Sequence, residues 1–403
     1  MQKLPLDGLR VIDFTLALAG PHLTQWLAVM GAEVIKIEST VRAEASRLPS
    51  AQQTGKAVPP IIESVTNCSK KSITLNMKQP KAVELVRELV KISDIVAENF
   101  GGPILERWGV GYQELKKIKP GIIFWSGSGY GRTGPLREFP ALAPILDAFD
   151  GLSTVNGYAG GQPSQIGSAA LTDVSQGLYG VFAILAALHH RSETGEGEYI
   201  DAAMSEGCTN ILGELVMDYT MNGRVGELVG NRNKIMAPHG CYRCQGEDKW
   251  VAIAISSEEE WKRFCKAIGN PDWTKKVEFS NEVSRWKNRE ELDKLVGQWT
   301  KNLDHYEVME KLQKVGVMAG ASLNLEEVEA DPHLKARKFF IDIGDAERGE
   351  LRLASLPWRL SDTPRGNYYA APLLGEHNDY VFGELLGMPR NEVKRLEAEK
   401  VIY

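Results

Sequence analysis

The N-terminal segment alternates strand and helix signals in an order that few folds accommodate. Residues 9–14 (LRVIDF) form a short, largely apolar run typical of a buried strand. Residues 19–21 (AGP) end that run, and proline is favoured in the first turn of a helix. The apolar positions of residues 23–30 then recur every three to four residues, and Gly31 is suited to end this helix. With a further strand at residues 32–37 (AEVIKI), this order predicts a βαβ unit and therefore a parallel sheet.

The same alternation continues along the first part of the chain. Helices are predicted at residues 81–91 and 112–117, and strands at residues 94–100 and 121–126. This order is typical of a doubly wound, Rossmann-like α/β domain. Ligands of such sheets lie at the carboxyl ends of the strands, so we expect the binding segments to follow residues 14, 37, 100 and 126.

Beyond residue 170 the pattern changes twice. Residues 172–190 predict one long helix, whose second half (residues 181–188, VFAILAAL) is apolar nearly all round and is expected to be deeply buried. From about residue 225, turn clusters, a strand at residues 249–255 and helical segments rich in Lys, Glu and Trp predict a second, smaller α/β domain. The chain from Asp331 is expected to be a linker, followed by a late strand at residues 351–356.

The composition excludes several classes of protein. Of the 403 residues 43% are hydrophobic and 25% charged, which suits two globular domains of ordinary composition. The formal net charge of −6 argues against a general nucleic-acid-binding protein, which usually presents a basic face. The N-terminus lacks the apolar core of a signal peptide, and no apolar run approaches the ~20 residues of a membrane span. We therefore expect a cytoplasmic protein.

Five cysteines occur at scattered positions, and this odd number argues against a disulfide framework. Cys241-x-x-Cys244 has a spacing found in metal and redox sites, and His239 lies nearby. A structural zinc site requires four ligands, and no fourth ligand is evident. We interpret these cysteines as ordinary strand or turn residues and predict no metal site.

The usual cofactor motifs are missing from the sequence. The first predicted strand is not followed by Gly-x-Gly-x-x-Gly, and neither a Walker-type phosphate loop nor His-Glu-x-x-His occurs. Glycines do cluster in residues 126–134 (SGSGYGRTG), but a Pro-Leu-Arg turn follows instead of a helix. We interpret this cluster as a structural loop.

Residues 171–177 (LTDVSQG) open the long helix and carry a carboxylate. Thr172 or Asp173 could simply cap this helix, as short polar side chains often do. Alternatively, backbone N–H groups and the helix dipole could stabilise the anion of Asp173. A carboxylate held in this way could attack a thioester carbonyl and form a covalent acyl intermediate. The residues alone leave both interpretations open.

Short segments spread along nearly the whole chain occur in the order found in one enzyme family. They are residues 5–14, 19–21, 31–38, 67–72, 98–100, 109–112, 194–197, 331–334 and 372–377. In these segments the chain resembles the class III CoA-transferases, the family of formyl-CoA transferase, carnitine CoA-transferase and the bile-acid-inducible enzymes. It is identified as a member of that family.

The resemblance implies a reaction, because Asp173 matches the family's catalytic aspartate. By resemblance, Asp173 attacks an acyl-CoA donor, such as succinyl-CoA, to give an aspartyl mixed anhydride and free CoA thiolate. The thiolate then forms an aspartyl-CoA thioester, and the acceptor carboxylate finally receives CoA. The energy of the thioester is conserved throughout, so the resemblance implies no metal and no cofactor beyond coenzyme A as substrate.

The family's CoA contacts also correspond to positions in this chain. They fall on Leu18, Ala19, Leu75, Asn76, Met77, Lys78, Asn99, Phe100, Gly101 and Arg107. Lys78 and Arg107 are expected to bind phosphate, because an ammonium or a guanidinium suits phosphate oxygens. Arg42 is a further candidate. Each of these cations could instead be a solvated surface charge.

The chain departs from its relatives in ways that bear on the substrate. The position after Glu38, often basic in relatives, is Ser39. Residues 16–18 (LAL) stand where formyl-CoA transferase has a His and a Gln, and its glycine-rich lid has no clear counterpart in residues 225–245. These differences favour a bulkier, partly apolar acid over oxalate or formate. The related alpha-methylacyl-CoA racemases need a His as second acid–base group, and Leu142 at that position disfavours racemase activity.

The resemblance also implies an architecture. Residues 1–200 would form a large CoA-binding domain, residues 330–403 would complete it, and residues 225–325 would form a small inserted domain. Relatives form interlocked, ring-like dimers, so we expect a homodimer or a heteromer with a related subunit, as in benzylsuccinate CoA-transferase. In a heteromer this chain could be a non-catalytic structural partner, an alternative that the presence of Asp173 argues against. Neither nucleic acid nor membrane is expected as a partner.

Overall fold

A computed structural model describes residues 3–40, 47, 50–51, 57–58, 61–164, 171–345 and 349–403 of the chain. The chain divides into two compact units. The first unit contains Met1–Ser153, Gln165–Val225 and Phe339–Tyr403, and the second contains Thr154–Ser164 and Gly226–Lys338. Residues from both ends of the chain thus belong to one unit.

The α-helices and β-strands follow one another in this order. Up to residue 225 they are β1 (Arg10–Asp13), α1 (Ala19–Val29), β2 (Glu33–Glu38), β3 (Ser50–Ala51), β4 (Ala57–Val58), α2 (Ile61–Thr66), β5 (Lys71–Thr74), α3 (Pro80–Lys91), β6 (Ile95–Glu98), α4 (Ile104–Arg107), α5 (Tyr112–Ile118), β7 (Ile123–Ser128), α6 (Ala143–Phe149), α7 (Leu152–Val155), α8 (Leu171–Thr194), β8 (Tyr199–Ala203), α9 (Met204–Ile211) and α10 (Gly213–Asn222). The later elements are β9 (His239–Arg243), β10 (Trp250–Ala254), α11 (Glu258–Ala267), α12 (Glu282–Lys287), α13 (Arg289–Thr300), α14 (His305–Gln313), β11 (Met318–Ser322), α15 (Leu325–Ala330), α16 (Pro332–Ala336), β12 (Phe340–Asp345), β13 (Gly349–Ala354) and α17 (Arg390–Ala398).

A parallel sheet organises the first unit. Within the described residues it has six strands in the order β5-β2-β1-β6-β7-β8. Its strands are apolar on both faces, as the fully buried neighbours Val11 and Ile12 of β1 illustrate. Helices α1 and α8 pack on one face, and α3, α5 and α17 pack on the other. The structure therefore confirms the predicted α/β class with a parallel sheet, whose helices cover both faces.

The direction in which strands are added to the sheet reverses between β1 and β6, which are neighbours. From β1 the chain builds outward through β2 to β5 on one side. It then returns to β6 and continues through β7 to β8 on the other side. In open α/β sheets such a switch point leaves a crevice at the carboxyl ends of the two strands, where ligands bind. The loops after β1 and β6 therefore border the expected ligand crevice.

Helix α8 confirms the predicted long helix, but its burial differs from the prediction. Val181, Ile184 and Ala187 are buried against α1 and the sheet, whereas Phe182 is 74% exposed. The prediction of burial all round is wrong because the sheet and α1 cover only one face of the helix. By length and composition alone α8 could also cross a membrane, a test that core helices of soluble proteins pass as well.

The second unit has its own hydrophobic core. Residues 226–338, all of them described, contain an antiparallel sheet in the order β11-β10-β9. Val251 of β10 packs with Phe264 of α11, Leu292 of α13 and Val308 of α14, and all four are fully buried. This core is separate from the clusters of the first unit.

The segment after Asp331 is more regular than its linker-like sequence indicated. The Asp331 side chain caps α16 by accepting a hydrogen bond from the Leu334 N–H at 2.8 Å. Strands β12 and β13 then pair as an antiparallel hairpin, and β13 includes most of the predicted late strand. Ile343 and Leu353 of this hairpin are buried with Val29 of α1. The linker prediction was wrong because side-chain capping and strand pairing organise this segment, and neither requires a long apolar periodicity.

Candidate active site

The loop after β1 is held in an unusual conformation at the switch point. Ala17 has a φ of 62°, in the left-handed region that residues with a side chain rarely adopt. Asn99, from the loop after β6, holds this loop in both directions. The Leu16 N–H donates to Asn99 Oδ1 at 2.7 Å, and Asn99 Nδ2 donates to the Leu16 carbonyl at 2.9 Å. The structure thus brings together two predicted contact segments, that of Leu18 and Ala19 and that of Asn99.

Asp13, the last residue of β1, anchors this loop from within the core. The Thr15 N–H donates to Asp13 Oδ1 at 2.8 Å, and the Thr24 hydroxyl donates to Oδ2 at 2.7 Å. Lys70 Nζ lies 3.1 Å from Oδ2, and the side chains of both partners are fully buried. Burial alone would raise the pKa of Asp13, but the positive charges of Lys70 and Lys36 and the hydrogen bonds hold it below its ordinary value. Asp13 is therefore a buried and well-paired anion.

Asp173 lies half-buried in the first turn of α8. The backbone N–H of Ala19 faces its carboxylate. Ala19 is the first residue of α1, so its N–H has no acceptor within its own helix. Burial raises the pKa of Asp173 to about 6, the nearby charge of Asp147 adds to this effect, and the Ala19 N–H opposes it. The positive end of α1, and not only that of α8, therefore faces the carboxylate.

The simple capping interpretation does not hold for either candidate. An N-cap residue precedes its helix, whereas α8 already includes Leu171, so Thr172 and Asp173 lie inside the first turn. The Thr172 hydroxyl bonds to Asp147 of α6, and the Asp173 carboxylate faces the N–H of Ala19 in α1, so both side chains are directed at other helices.

Two glycines of α8 allow α1 to approach closely enough for this contact. A Cβ at Gly177 would lie 3.2 Å from the Ala19 carbonyl oxygen, and a Cβ at Gly180 would lie 2.1 Å from Leu23 Cδ1. Residues three apart share one face of a helix, so both glycines are directed at the same neighbour. Their missing side chains set the distance between the start of α1 and Asp173.

A second group of buried polar side chains lies next to Asp173. The Thr172 hydroxyl donates a hydrogen bond to the carboxylate of Asp147 in α6, and Thr172 Oγ1 lies 3.6 Å from Sγ of Cys208 in α9. Burial, together with the neighbouring carboxylate of Asp150, raises the pKa of Cys208 to about 12, so its thiol is neutral. Sequence reasoning missed Asp147, because one carboxylate in a short helix resembles an ordinary surface charge.

The same cluster is also the group of described residues whose ligand atoms could hold a metal ion, namely Asp147, Asp150 and Cys208. One ligand atom of each lies within 4.8 Å of the others, and all three residues are buried. Asp150 Oδ2 has no hydrogen-bond partner among the described residues.

The two cysteines of the Cys-x-x-Cys spacing lie in the second unit. Cys241 is a residue of strand β9, and Cys244 is buried in the core of that unit.

The glycine-rich segment after β7 supplies an arginine to the loop after β6. The Arg132 guanidinium lies 2.5 Å from Glu98 Oε1 and donates to the carbonyls of Phe100 at 2.9 Å and Gly102 at 3.0 Å. Burial raises the pKa of Glu98, and the charge of Arg132 opposes this shift. Arg132 thus fixes the backbone on both sides of Gly101, a predicted CoA contact. Sequence reasoning treated this segment as structural, and the arginine within the glycine run was the available signal.

The third predicted contact segment follows β5, which is separated from β1 by β2. At about 4.8 Å per strand, it begins about 10 Å from the end of β1, so a ligand must be extended to reach both. Leu75 is only 1% exposed, so its backbone alone could contact a ligand. Asn76 and Met77 are half-buried and Lys78 is exposed. This segment shares the sheet edge with Leu18, but it does not adjoin that residue.

The two cations expected to bind phosphate are both exposed. Arg107 ends the short helix α4, and its Nη2 lies 3.9 Å from the point where a Cβ on Gly102 would stand. Neither Arg107 nor Lys78 forms an ion pair with a described residue. Arg42, the further candidate, lies outside the described residues.

The residues that distinguish this chain from its relatives are apolar and accessible. Leu142, at the position of the racemase His, precedes α6 and is 69% exposed. Leu16 is 38% exposed, and Leu18 is half-buried. None of these side chains can exchange a proton.

Comparisons with known proteins agree with the fold and identify a family. The model of "CoA-transferase family III" matches residues 6–378. The beta subunit of succinyl-CoA–L-malate CoA-transferase from Chloroflexus aurantiacus is 34% identical over 404 residues, covering 99% of this chain and 98% of that protein. Formyl-CoA:oxalate CoA-transferase from Streptomyces avermitilis is 30% identical over 416 residues, covering 98% and 99%. The crystal structure of a CaiB/BaiF family protein from Brucella suis has a TM-score of 0.85 at 31% identity, covering 95% of this chain and 100% of that one.

These similarities are not confined to one part of the molecule. The matched residues 6–378 include the parallel sheet of the first unit and the whole of the second unit. Both similar proteins are covered over almost their full lengths. The chain therefore belongs to CoA-transferase family III.

Proposed function

We propose that this protein transfers coenzyme A from an acyl-CoA donor, such as succinyl-CoA, to a carboxylic acid through covalent intermediates on Asp173. One observation carries the proposal: the half-buried Asp173 carboxylate faces the Ala19 N–H at the start of α1, next to the switch point of the sheet. With a pKa of about 6 it is mostly ionised at neutral pH, yet it is more basic than an exposed aspartate. Both properties favour attack on a thioester carbonyl. Similar proteins named for succinyl-CoA and formyl-CoA support this class of reaction.

The proposed reaction consists of four acyl transfers. A carboxylate oxygen of Asp173 attacks the acyl-CoA carbonyl, and the C–S bond breaks with its electron pair on sulfur, which gives an acyl–aspartyl anhydride and CoA thiolate. The thiolate attacks the aspartyl carbonyl, which releases the donor acid and forms aspartyl-CoA. The acceptor carboxylate attacks this thioester and releases the thiolate again, leaving an acceptor–aspartyl anhydride. The thiolate finally attacks the acceptor carbonyl, which forms the new acyl-CoA and regenerates the Asp173 carboxylate.

The surroundings of Asp173 suit these steps. Each transfer develops negative charge on a carbonyl oxygen, and a preorganised N–H donor at that place lowers the barrier. The start of α1 supplies such donors, and the Asn99 and Asp13 contacts hold the preceding loop in place. The energy of the thioester is conserved throughout, so the proposed reaction requires no metal and no cofactor beyond coenzyme A as substrate.

We place coenzyme A along the carboxyl edge of the sheet. Its thiol end would lie near Asp173, between the loops of Leu18 and Ala19 and of Asn99, Phe100 and Gly101. The remainder would extend toward the segment Leu75, Asn76, Met77 and Lys78. Lys78 and Arg107 would bind its phosphates, since both are exposed and neither forms an ion pair with a described residue.

The acceptor acid is proposed to be bulkier and more apolar than oxalate or formate. Leu16 and Leu142 are accessible and cannot bind a second carboxylate by charge. The absence of an acid–base group at Leu142 also disfavours racemase activity. Turnover of oxalate with formyl-CoA at rates rivalling those of larger acids would refute this assignment.

We further propose that the protein works in the cytoplasm as an interlocked dimer, either with itself or with a related subunit. Exposed apolar side chains on α8 and α10 support an assembly, among them Phe182 at 74%, Met217 at 57% and Met221 at 73%. Met217 and Met221 are four residues apart on α10 and therefore share one face, and contiguous exposed apolar surface usually marks an interface. The similar Chloroflexus protein is itself named a beta subunit, which keeps a heteromer open.

The test traps the acylated aspartate. The protein is incubated with succinyl-CoA and then with hydroxylamine, and the peptide that contains Asp173 is examined by mass spectrometry. We expect a hydroxamate at Asp173 after succinyl-CoA, none after free succinate, and none in an Asp173→Asn variant. CoA exchange without any modification at Asp173 would contradict the proposed intermediate. A protein that shows neither exchange nor modification with a panel of donors would be a silent subunit.

A further inference from the structure

The turn that carries Asp173 is tied to a neighbouring helix through Thr172. The Thr172 side chain has no exposed surface, and its hydroxyl donates to the carboxylate of Asp147, which is 5% exposed. The first N–H groups of a helix lack acceptors within it, so the first turn depends on contacts made by its side chains. Any displacement of this turn would move the carboxylate of Asp173 with it.

We infer that Asp147 is a positioning residue for CoA transfer, because it fixes through Thr172 the backbone from which Asp173 attacks. The inference rests on the proposed role of Asp173. Asp147 does not touch the reacting atoms. It lies on α6, which packs against both α8 and α9, so it connects the reactive turn to the body of the first unit.

A threonine suits this position because it has two partners. Its hydroxyl donates to the Asp147 carboxylate, and the same Oγ1 lies 3.6 Å from Sγ of Cys208. A β-branched side chain is also stiff at its first torsion, which helps to hold the hydroxyl in one direction. Valine would fill the same volume without either polar contact.

Asp147 acts on Asp173 by its charge as well as by this hydrogen bond. Titratable side chains on the elements packed against α8 are His22 on α1, Asp147 and Asp150 at α6, Glu206 and Cys208 on α9, and Tyr199 and Asp201 on β8. Among them Asp147 is the residue whose charge contributes to the raised pKa of Asp173. Position and charge can therefore be separated, since Asp147→Asn keeps an acceptor oxygen and removes the charge, whereas Thr172→Val removes the bond and keeps the charge.

The first arm of the test compares Thr172→Val with Thr172→Ser, using succinyl-CoA as the donor. We expect Thr172→Val to lower kcat by about 10- to 100-fold, because small misplacements of a reacting group are costly, and to change KM by less than about threefold. Thr172→Ser restores the donor and should return kcat to within about threefold of the parent. Thr300→Val is the matched control: Thr300 is equally buried and donates to the Arg243 carbonyl at 2.8 Å in the second unit. Its kcat should stay within about twofold of the parent.

The second arm varies Asp147. Asp147→Leu should resemble Thr172→Val, because both remove the bond. Asp147→Asn should keep most of kcat at high pH and move the acid limb of the kcat/KM profile to lower pH, because Asp173 loses a negative neighbour. Circular dichroism confirms that each variant is folded, and Asp147→Asn and Thr172→Ser decide the question should Thr172→Val not fold.

Two results would overturn the inference. One is a parental kcat in Thr172→Val, and the other is a Thr172→Ser variant as slow as Thr172→Val, which would assign the loss to packing alone. The proposed function fails separately, if Asp173→Asn exchanges CoA at the parental rate. An inactive Asp173→Asn beside a fully active Thr172→Val would refute the positioning role and leave the proposed function standing.

Discussion

Asp13 and Asp173 both lie beside the N-terminal half of α1, and their surroundings differ sharply. Asp13 at the end of β1 is fully buried, accepts hydrogen bonds from Thr15 and Thr24, and pairs with Lys70. Asp173 at the start of α8 is half-buried, faces the Ala19 N–H and has the negative Asp147 as a neighbour. The pKa of Asp13 is held below its ordinary value, whereas that of Asp173 is raised to about 6.

The difference shows how one fold separates a structural carboxylate from a reactive one. At Asp13 the cost of burial is offset by a cation and several donors, so the anion is stable and unreactive. At Asp173 burial is compensated only in part, so the anion keeps basicity that a bond to an acyl carbon can use. Four predictions test this contrast, in order of decreasing effect.

The largest effect is expected on the activity of Asp173→Asn. An amide cannot form the acyl intermediate, so CoA exchange from succinyl-CoA should fall by at least ~1000-fold, or about 4 kcal/mol of transition-state stabilisation. Chromatographic measurement of the product acyl-CoA gives the rate. Asp272→Asn, at an exposed aspartate paired with Lys275, should leave the rate unchanged. Comparable rates in Asp173→Asn and the parent would remove the basis for calling Asp173 reactive.

The second prediction is a loss of stability when Lys70, the cation paired with Asp13, is replaced. Lys70→Met removes the closest cation from a buried carboxylate, which should lower the free energy of unfolding by about 3–5 kcal/mol. Lys81→Met removes an exposed pair with Glu84 and should cost less than about 1 kcal/mol. Urea denaturation of the three proteins measures both. Equal losses in the two variants would show that Asp13 does not depend on its partner.

Whereas Lys70→Met should destabilise the protein, Asp173→Asn should stabilise it at neutral pH. The raised pKa means that the folded state binds this proton more tightly than the unfolded state, so the parent loses stability as the pH rises from about 4 through about 6. The amide avoids that loss, so its free energy of unfolding near pH 7.5 should exceed that of the parent by about 3 kcal/mol, with no advantage below about pH 4. Thermal unfolding across this pH range measures the difference. An advantage that grew toward acid pH would contradict the raised pKa.

The smallest effect concerns binding at the other border of the crevice. Arg132→Lys keeps a positive charge near Glu98, but an ammonium cannot reproduce the contacts of the guanidinium with Phe100 and Gly102. We expect KM for succinyl-CoA to rise about 3- to 10-fold, roughly 1 kcal/mol, with little change in kcat. Arg137→Lys, at an exposed pair with Glu138, is the control. A fall in kcat without a change in KM would place Arg132 with the reactive groups instead.

The sequence predicted the first unit well where the signal is local. The apolar periodicity that defines β1, α1, β2 and α3 depends on neighbouring residues, and the observed bounds differ from the predicted ones by only a few residues. Predictions of burial and of irregular segments were weaker. Phe182 lies in an apolar helix, yet it is exposed, and the residues after Asp331 form a helix and a hairpin without a strong apolar period.

The candidate site was predicted unevenly for the same reason. Asp173 could be singled out because its surrounding motif resembles that of a known family. Asp147 could not, because in the sequence it is one charge among many, and Arg132 was missed because the glycine run around it was interpreted as a structural loop. Only their burial and their partners, Thr172 in one case and the loop after β6 in the other, mark them as parts of the site.

By itself the sequence determined the α/β class, the family and the carboxylate on which the proposed reaction depends, because periodicity and motifs are properties of residues close together in the chain. The tertiary structure decided which aspartate is paired and which is left basic. That outcome depends on the approach of α1 to α8 across Gly177 and Gly180, on the burial of Lys70 beside Asp13, and on the charge of Asp147 beside Asp173. Desolvation and charge act through space, and residues far apart in the chain supply both.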